Sequence, residues 1–126
     1  MAQSVYESVG GEPFFAALVD TFYSHVAADP ILRPMYPDDD LGPAAERLRM
    51  FLCQYFGGPS TYSEQRGHPR LRMRHLPFPI DEDARDRWLA AMNSALTAAA
   101  APEPAATMMR DYFQMAAEAM RNIVHE

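Results

Sequence analysis

A single cysteine, Cys53, stands alone in this sequence, so neither an internal disulfide framework nor a multi-thiolate metal site is open to it. No apolar run approaches the ~18 residues that a membrane span needs. Met1 to Gly11 offers neither a basic start nor an apolar segment, so no secretory signal is expected and the cytoplasm is the expected compartment. Lysine is absent: all 11 basic residues are arginine, against 17 acidic ones, for a net charge of −6. A nucleic-acid surface is therefore excluded as the main purpose. No segment shows strand alternation of any length, and there is no repeat. His25, His68 and His125 show no HExxH or paired spacing, which leaves a zinc site without support. No GxSxG elbow marks a nucleophilic serine. No flavin or nicotinamide fingerprint is present either, so any reductase would be a separate protein.

What remains is a chain of 126 residues, 48% hydrophobic with 6 glycines, expected to fold as one globular domain over 1–126. Ser4 and Glu7 match a capping box and predict a brief helix ending at Gly10-Gly11. Glu12-Pro13 opens a second helix with Phe14, Leu18, Val19, Phe22 and Val26 at helical spacing and Tyr23 pointing inward. Asp29-Pro30 ends it, and prolines 30, 34 and 37 break the chain into short turns that hold Tyr36. The next helix starts at Pro43, turns Leu48, Phe51, Leu52 and Tyr55 inward, and stops at Gly57-Gly58-Pro59. Residues 57–68 read as a polar loop. Asp81 is a good N-cap for a helix to about Ala101, buried through Trp88, Met92, Ala95, Leu96 and Ala99. The last helix, about 105–124, is expected to pack through Met108, Tyr112, Met115, Ala116, Ala119 and Ile123. The fold class is all-α, with four substantial helices.

Residues 66–77 tie these elements to a chemistry. Pro69 suits a first helical position and Pro77 stops the turn, so His75 ends a helix of about two turns on stiff backbone. A side chain held in that way suits an axial metal or haem ligand; a capped surface turn whose histidine faces the negative helix end is the plainer alternative. Arg66, Arg70, Arg72 and Arg74 crowd beside it, either as a solvated charged loop or as an anion site. Tyr23, Tyr36 and Trp88 are inward polar aromatics that need hydrogen-bond partners. A buried flat cofactor with two carboxylates explains all three groups together. Haem would take His75 as axial ligand, Arg47 and the arginine cluster at its propionates, and Tyr and Trp donors around a diatomic ligand that gains negative charge. A non-haem helical module that binds an acidic partner through the arginine cluster stays open on these residues alone.

Several motifs, in this order, resemble one family: Gly10-Gly11, Tyr36-Pro37 followed by Asp39-Asp40-Leu41, Glu46 to Phe51, Gly57-Gly58, and Gly67 to His75 with one Trp thirteen residues on. The chain is similar to the truncated haemoglobins of the second, O-type group, found in actinobacteria and other bacteria, from Tyr6 to about Ala119. The resemblance implies a truncated globin fold, a two-over-two helical sandwich around haem b (iron protoporphyrin IX). It implies His75 as proximal iron ligand and Tyr23, Tyr36 and Trp88 as distal donors, with Ala44 where many globins carry a distal His or Gln. Arg47, Leu48, Phe51, Tyr62, His68 and Arg72 would contact the cofactor. The expected ligands are O2, CO, NO or peroxide, serving oxygen binding or the detoxification of reactive oxygen and nitrogen species. NO dioxygenase or peroxidase-like turnover would need a reductase as partner. Neither membrane nor nucleic acid is expected as a partner, and a homo-oligomer is left open. Arg121 to Glu126 carry no functional expectation.

Overall fold

The computed structural model describes residues 4–123, apart from the side chain of Arg72, and every regular element among them is helical. His125 lies outside the described residues. The helices are α1 (Val5–Ser8), α2 (Glu12–Ala28), α3 (Gly42–Tyr55), α4 (Thr61–Arg66), α5 (Leu71–His75), α6 (Glu82–Ala99) and α7 (Ala105–Met120), with a short 3-10 turn at Arg33–Met35. Local chemistry sets most of their ends. The Glu7 N–H donates to Ser4 Oγ at 3.1 Å, and the Ser4 hydroxyl returns a bond to Glu7 Oε1 at 3.2 Å. Asp81 Oδ1 accepts from the Ala84 N–H at 2.9 Å and starts α6. Gly58 must be glycine for reasons of space: a Cβ there would lie 2.8 Å from the Cys53 carbonyl oxygen and 2.6 Å from the Tyr6 ring.

α2 packs on both α3 and α6, and α6 packs on α7, so two helix pairs stack through α2 and α6. Phe15, Leu18 and Phe22 of α2, Met92 and Leu96 of α6, Leu52 of α3 and Phe113 of α7 are all fully buried between them. Each such side chain contributes about 1.5–3 kcal/mol through lost water contact. Aromatic contacts run unbroken through this core. Phe15 stacks on Tyr6 and Phe56, Phe56 meets Phe113, Phe113 meets Trp88, and Trp88 meets Phe22. Phe22 then touches Tyr23, and Tyr23 meets Tyr36 edge to face with centroids 5.6 Å apart. The core thus reaches directly into the region where the polar aromatics gather.

Six expectations need correction. The stretch expected as loop contains α4, because Gln54 grips Ser63 through both its amide groups, at 2.7 and 2.9 Å; only Tyr62 is buried there, so no periodic pattern announces the helix. Pro69 is not the first residue of α5. Arg70 intervenes in left-handed geometry (φ 47°, ψ 48°), its N–H donating to His68 Nδ1 at 3.0 Å, and the helix starts at Leu71. On α2 the fully buried position belongs to Phe15, with Phe14 half-buried beside it in edge-to-face contact. Tyr55 is 50% exposed and lays its ring against Tyr112, centroids 4.0 Å apart. On α7, Met108 and Met115 are 53% and 61% exposed and Ala119 is exposed, while Ala105, Met109, Phe113 and Ala117 are buried. The helix is apolar on two adjacent stripes, and the wedge of Phe113 between Phe56 and Trp88 selects one of them. α7 also stops at Met120, where Arg121 turns extended (ψ 129°) and the tail leaves the helix.

Candidate functional site

A cavity of about 410 Å³ opens between the helices, lined by side chains from every helix from α2 to α7. Tyr23, Tyr36, Ala44, Arg47, Leu48, Phe51, Tyr62, His75 and Trp88 all line it, so the fold gathers nearly all the predicted site residues at one place. His68 is not among the lining residues: its ring is exposed and its Nδ1 accepts the Arg70 N–H. The Arg72 side chain lies outside the described residues.

His75 closes α5 with its ring locked. Nδ1 lies 2.6 Å from the Leu71 carbonyl oxygen one turn back. A carbonyl can only accept, so Nδ1 carries a proton, and in the neutral ring the lone pair then lies on Nε2. That is the tautomer and the backbone anchoring a metal-ligating histidine uses. Leu71, Phe78 and Ile80 beside it in the lining are apolar, and Arg74 is its charged neighbour there.

The polar aromatics form the second feature. Burial pushes the Tyr23 phenol well above its ordinary value, and the adjacent Tyr36 phenol raises it further. Burial also raises Tyr36, against a smaller lowering effect from Tyr23. Both hydroxyls therefore keep their protons through the physiological range, and because they are hydrogen-bonded to each other, one O–H is spent within the pair and the other is left to donate. Trp88 is wedged edge-on between Phe22 and Phe113, with centroids 5.3 and 5.9 Å away. Among the described residues its indole N–H has no protein acceptor, and it is not sealed from the cavity.

Tyr36 owes its place to an arginine that pattern reading does not single out. Arg33 Nη1 donates to the Tyr36 carbonyl at 2.9 Å, and Nη2 donates to the carbonyls of Asp38 and Asp39 at 2.9 and 3.0 Å. One planar guanidinium thereby folds the turn that carries Tyr36. Upstream, Asp29 Oδ1 accepts from the N–H groups of Ile31 and Leu32 at 2.8 and 3.0 Å, and Arg87, one residue before Trp88, pairs with the same carboxylate at 3.3 Å. Burial works against a charged Asp29, but the Leu32 and Ile31 N–H groups and Arg87 outweigh it and hold its carboxyl below the usual range. This ion pair fastens the distal turn to α6.

Three guanidiniums border the cavity: Arg47, Arg74 and Arg85. Arg85 is engaged by Glu118, by Asp86 at 3.0 Å and by Glu82 at 3.6 Å. Arg47 and Arg74 make no ion pair among the described residues. Arg74 comes from the arginine cluster, and its guanidinium makes a long 3.4 Å contact to the Arg66 carbonyl. Arg72, the cluster member expected at the cofactor, has its side chain outside the described residues.

An apolar cavity with one histidine nitrogen, two cations without ion-pair partners among the described residues, an indole N–H and a hydrogen-bonded phenol pair matches haem chemically. The comparison with known proteins decides the family: residues 4–122 match the model of the bacterial-like globins. The chain belongs to that family. Its relatives are truncated haemoglobins. A group 2 truncated haemoglobin of Bacillus subtilis is 50% identical over 91 residues, spanning 72% of this chain and 67% of that protein. The crystal structure of the haemoglobin from the thermophilic phototrophic bacterium Chloroflexus aurantiacus is 56% identical, with a TM-score of 0.95 over 97% of this chain and 100% of that one. The group II truncated haemoglobin of Bacillus anthracis is 38% identical with a TM-score of 0.95, covering 100% of this chain and 96% of that one. The two stacked helix pairs are therefore the two-over-two globin fold, as expected, and this truncated haemoglobin belongs to a family that binds haem and diatomic gases. The fit of its own residues agrees with the family: a histidine with a free Nε2, unpaired arginines for the propionates, and apolar walls between them.

Proposed function

We propose that this truncated haemoglobin binds haem b through His75 Nε2 and holds O2 and other diatomic ligands under Tyr23, Tyr36 and Trp88. The observation that carries the reading is the His75 hydrogen bond to the Leu71 carbonyl, which orients the ring and directs Nε2, the nitrogen left to bind a metal, from within a largely apolar cavity. Haem, once bound, supplies an iron that coordinates small diatomic ligands. The chain's own residues do the rest. Arg47 and Arg74 supply positive charge for the propionates. Leu48, Phe51 and Tyr62 exclude water from the cofactor, and Ala44 leaves the space above it open. The Trp88 N–H and the phenol pair of Tyr23 and Tyr36, one of whose O–H groups holds the other ring in place, donate hydrogen bonds to an electron-rich ligand, and pre-oriented donors in a dry site are worth more than in water. His68, on the exposed side of the turn before α5, is given no cofactor contact.

The Trp88 N–H and the Tyr23–Tyr36 pair around one ligand favour retention over rapid release, so tight oxygen binding or detoxification chemistry suits the pocket better than bulk transport. Residues 1–126 act as one domain in this reading, and a single cysteine suits a reducing compartment such as the cytoplasm. Absorption spectra of purified protein, reduced and with or without CO, test it for the wild type and His75→Ala. The expected result is a haem spectrum that shifts with CO and loses its histidine-ligated ferrous form in the variant. Haem binding unaltered by the substitution would move the ligand elsewhere, and a colourless protein after haem addition would refute the reading. Steady NO or peroxide consumption with a supplied reductase separates detoxification from simple binding.

A further inference from the structure

α5 has five residues and stands between Pro69 on one side and Pro77 and Pro79 on the other. A helix that short does not hold itself in water, and its last carbonyls have no partner inside it. The bond from His75 Nδ1 to Leu71 fixes the ring relative to its own helix, but a helix that rocks takes the ring with it. Something outside α5 must hold it; α7 and the core around Leu71 supply packing, and one residue 47 positions away supplies side-chain hydrogen bonds.

Asn122 lies in the extended tail after α7. Its Nδ2 donates to the Phe78 carbonyl at 2.8 Å and to the His75 carbonyl at 3.3 Å. Its Oδ1 accepts the Ile80 N–H at 2.9 Å. The backbone reinforces the side chain: the Asn122 and Ile123 N–H groups both donate to the Ile80 carbonyl, at 2.8 and 3.1 Å. Every polar atom of the amide is used, and its orientation is determined, because the reverse would turn its oxygen toward two carbonyl oxygens. The tail is kept in place in turn, since Arg121 pairs with Glu118 at 3.1 Å and Glu118 also holds Arg85. Phe78 and Ile80, the residues Asn122 grips, line the same cavity as His75.

We propose that Asn122 is a positioning residue for His75: by latching the turn that follows α5, it sets the direction from which Nε2 meets the haem iron. The proposal rests on the haem reading above. It concerns the histidine's approach rather than its identity, so the two fail in different experiments.

The test uses holoprotein of the wild type, Asn122→Ala and Asn122→Asp. Asp keeps the size and the acceptor for Ile80 but turns a carboxylate toward the His75 and Phe78 carbonyls, so it isolates the two donated bonds. The readouts are the iron–histidine stretching band of the ferrous protein by resonance Raman, haem transfer to excess apomyoglobin, and the thermal midpoint. Both variants are expected to shift and broaden the band and to lose haem roughly tenfold faster, as removal of a support behind a metal ligand does. A wild-type band and a wild-type transfer rate in both variants overturn the proposal, even if the thermal midpoint falls, because the latch would then be structural only. If neither variant folds, the proposal falls for the same reason. A wild-type protein that takes up no haem brings down the underlying reading, and this one with it.

Discussion

Replacing Trp88 by Phe removes one N–H and little else. The six-membered ring keeps the edge contacts with Phe22 and Phe113, whose centroids lie 5.3 and 5.9 Å from the indole. At a half-buried position the lost ring volume costs about 1 kcal/mol of stability, small against a folded domain. The lost donor matters more. A hydrogen bond to a group that carries charge contributes about 1.5–3 kcal/mol net. Trp88 has no competing protein acceptor among the described residues, so the whole of that contribution is available to a ligand. At about 1.4 kcal/mol per factor of ten, the O2 dissociation rate should rise roughly 10- to 100-fold. Stopped-flow displacement of O2 by excess CO measures it directly. CO takes less negative charge from iron than O2 does, so its own dissociation should accelerate less. An O2 rate within twofold of wild type, in a variant with native helicity, would remove Trp88 from the distal role and leave the two tyrosines to carry it.

Arg33→Met should loosen the turn that carries Tyr36 by deleting three bonds to carbonyls; about 1–2 kcal/mol of stability should be lost at this half-buried site, measured by urea unfolding, with O2 released several-fold faster. Asp29 has a carboxyl held below its usual 3.8, so the unfolded chain binds that proton first. Its stabilising effect is fully present above about pH 4 and is lost as pH falls through the lower folded value. Asn at this position should therefore lower stability at pH 7 and narrow the gap to wild type near pH 2; an equal gap at both pH values would refute the assignment. Gly58→Ala should cost about 1–3 kcal/mol in urea unfolding, because the added Cβ meets the Cys53 backbone carbonyl at 2.8 Å and backbone cannot swing aside; an unchanged midpoint would show that α3 can shift at its end.

The long helices were legible because each carries its own start signal and a single wide apolar stripe. α2, α3 and α6 begin where Glu12-Pro13, Pro43 and Asp81 announce them, and Leu18, Phe22, Met92 and Leu96 are buried as their spacing requires. α7 misled because apolar residues occupy two adjoining stripes. Spacing fixes a face only up to rotation when Met108 and Met109 compete, and the packing of Phe113 against another helix decides it. α4 was illegible for a different reason: its stability comes from Gln54, nine residues upstream of Ser63, and its own sequence is polar.

At the site, the residues with chemistry of their own stood out, and the residues that hold them did not. His75, Tyr23, Tyr36 and Trp88 attract notice because an imidazole, a buried phenol or an indole needs a partner wherever it sits. Arg33, Asp29 and Asn122 are ordinary polar residues in the sequence, and only the fold shows that each one grips backbone carbonyls or N–H groups beside a site residue. The local sequence around His75 also explains why outside help is required. Prolines and a left-handed Arg70 make the segment stiff, but their few hydrogen bonds stay within residues 68–74, since proline removes donors and α5 is too short to satisfy its own ends. Stiffness without anchoring leaves a rigid piece free to pivot. The anchoring must come from elsewhere in the chain, and it comes from the tail, the region in which the sequence offered no functional sign at all.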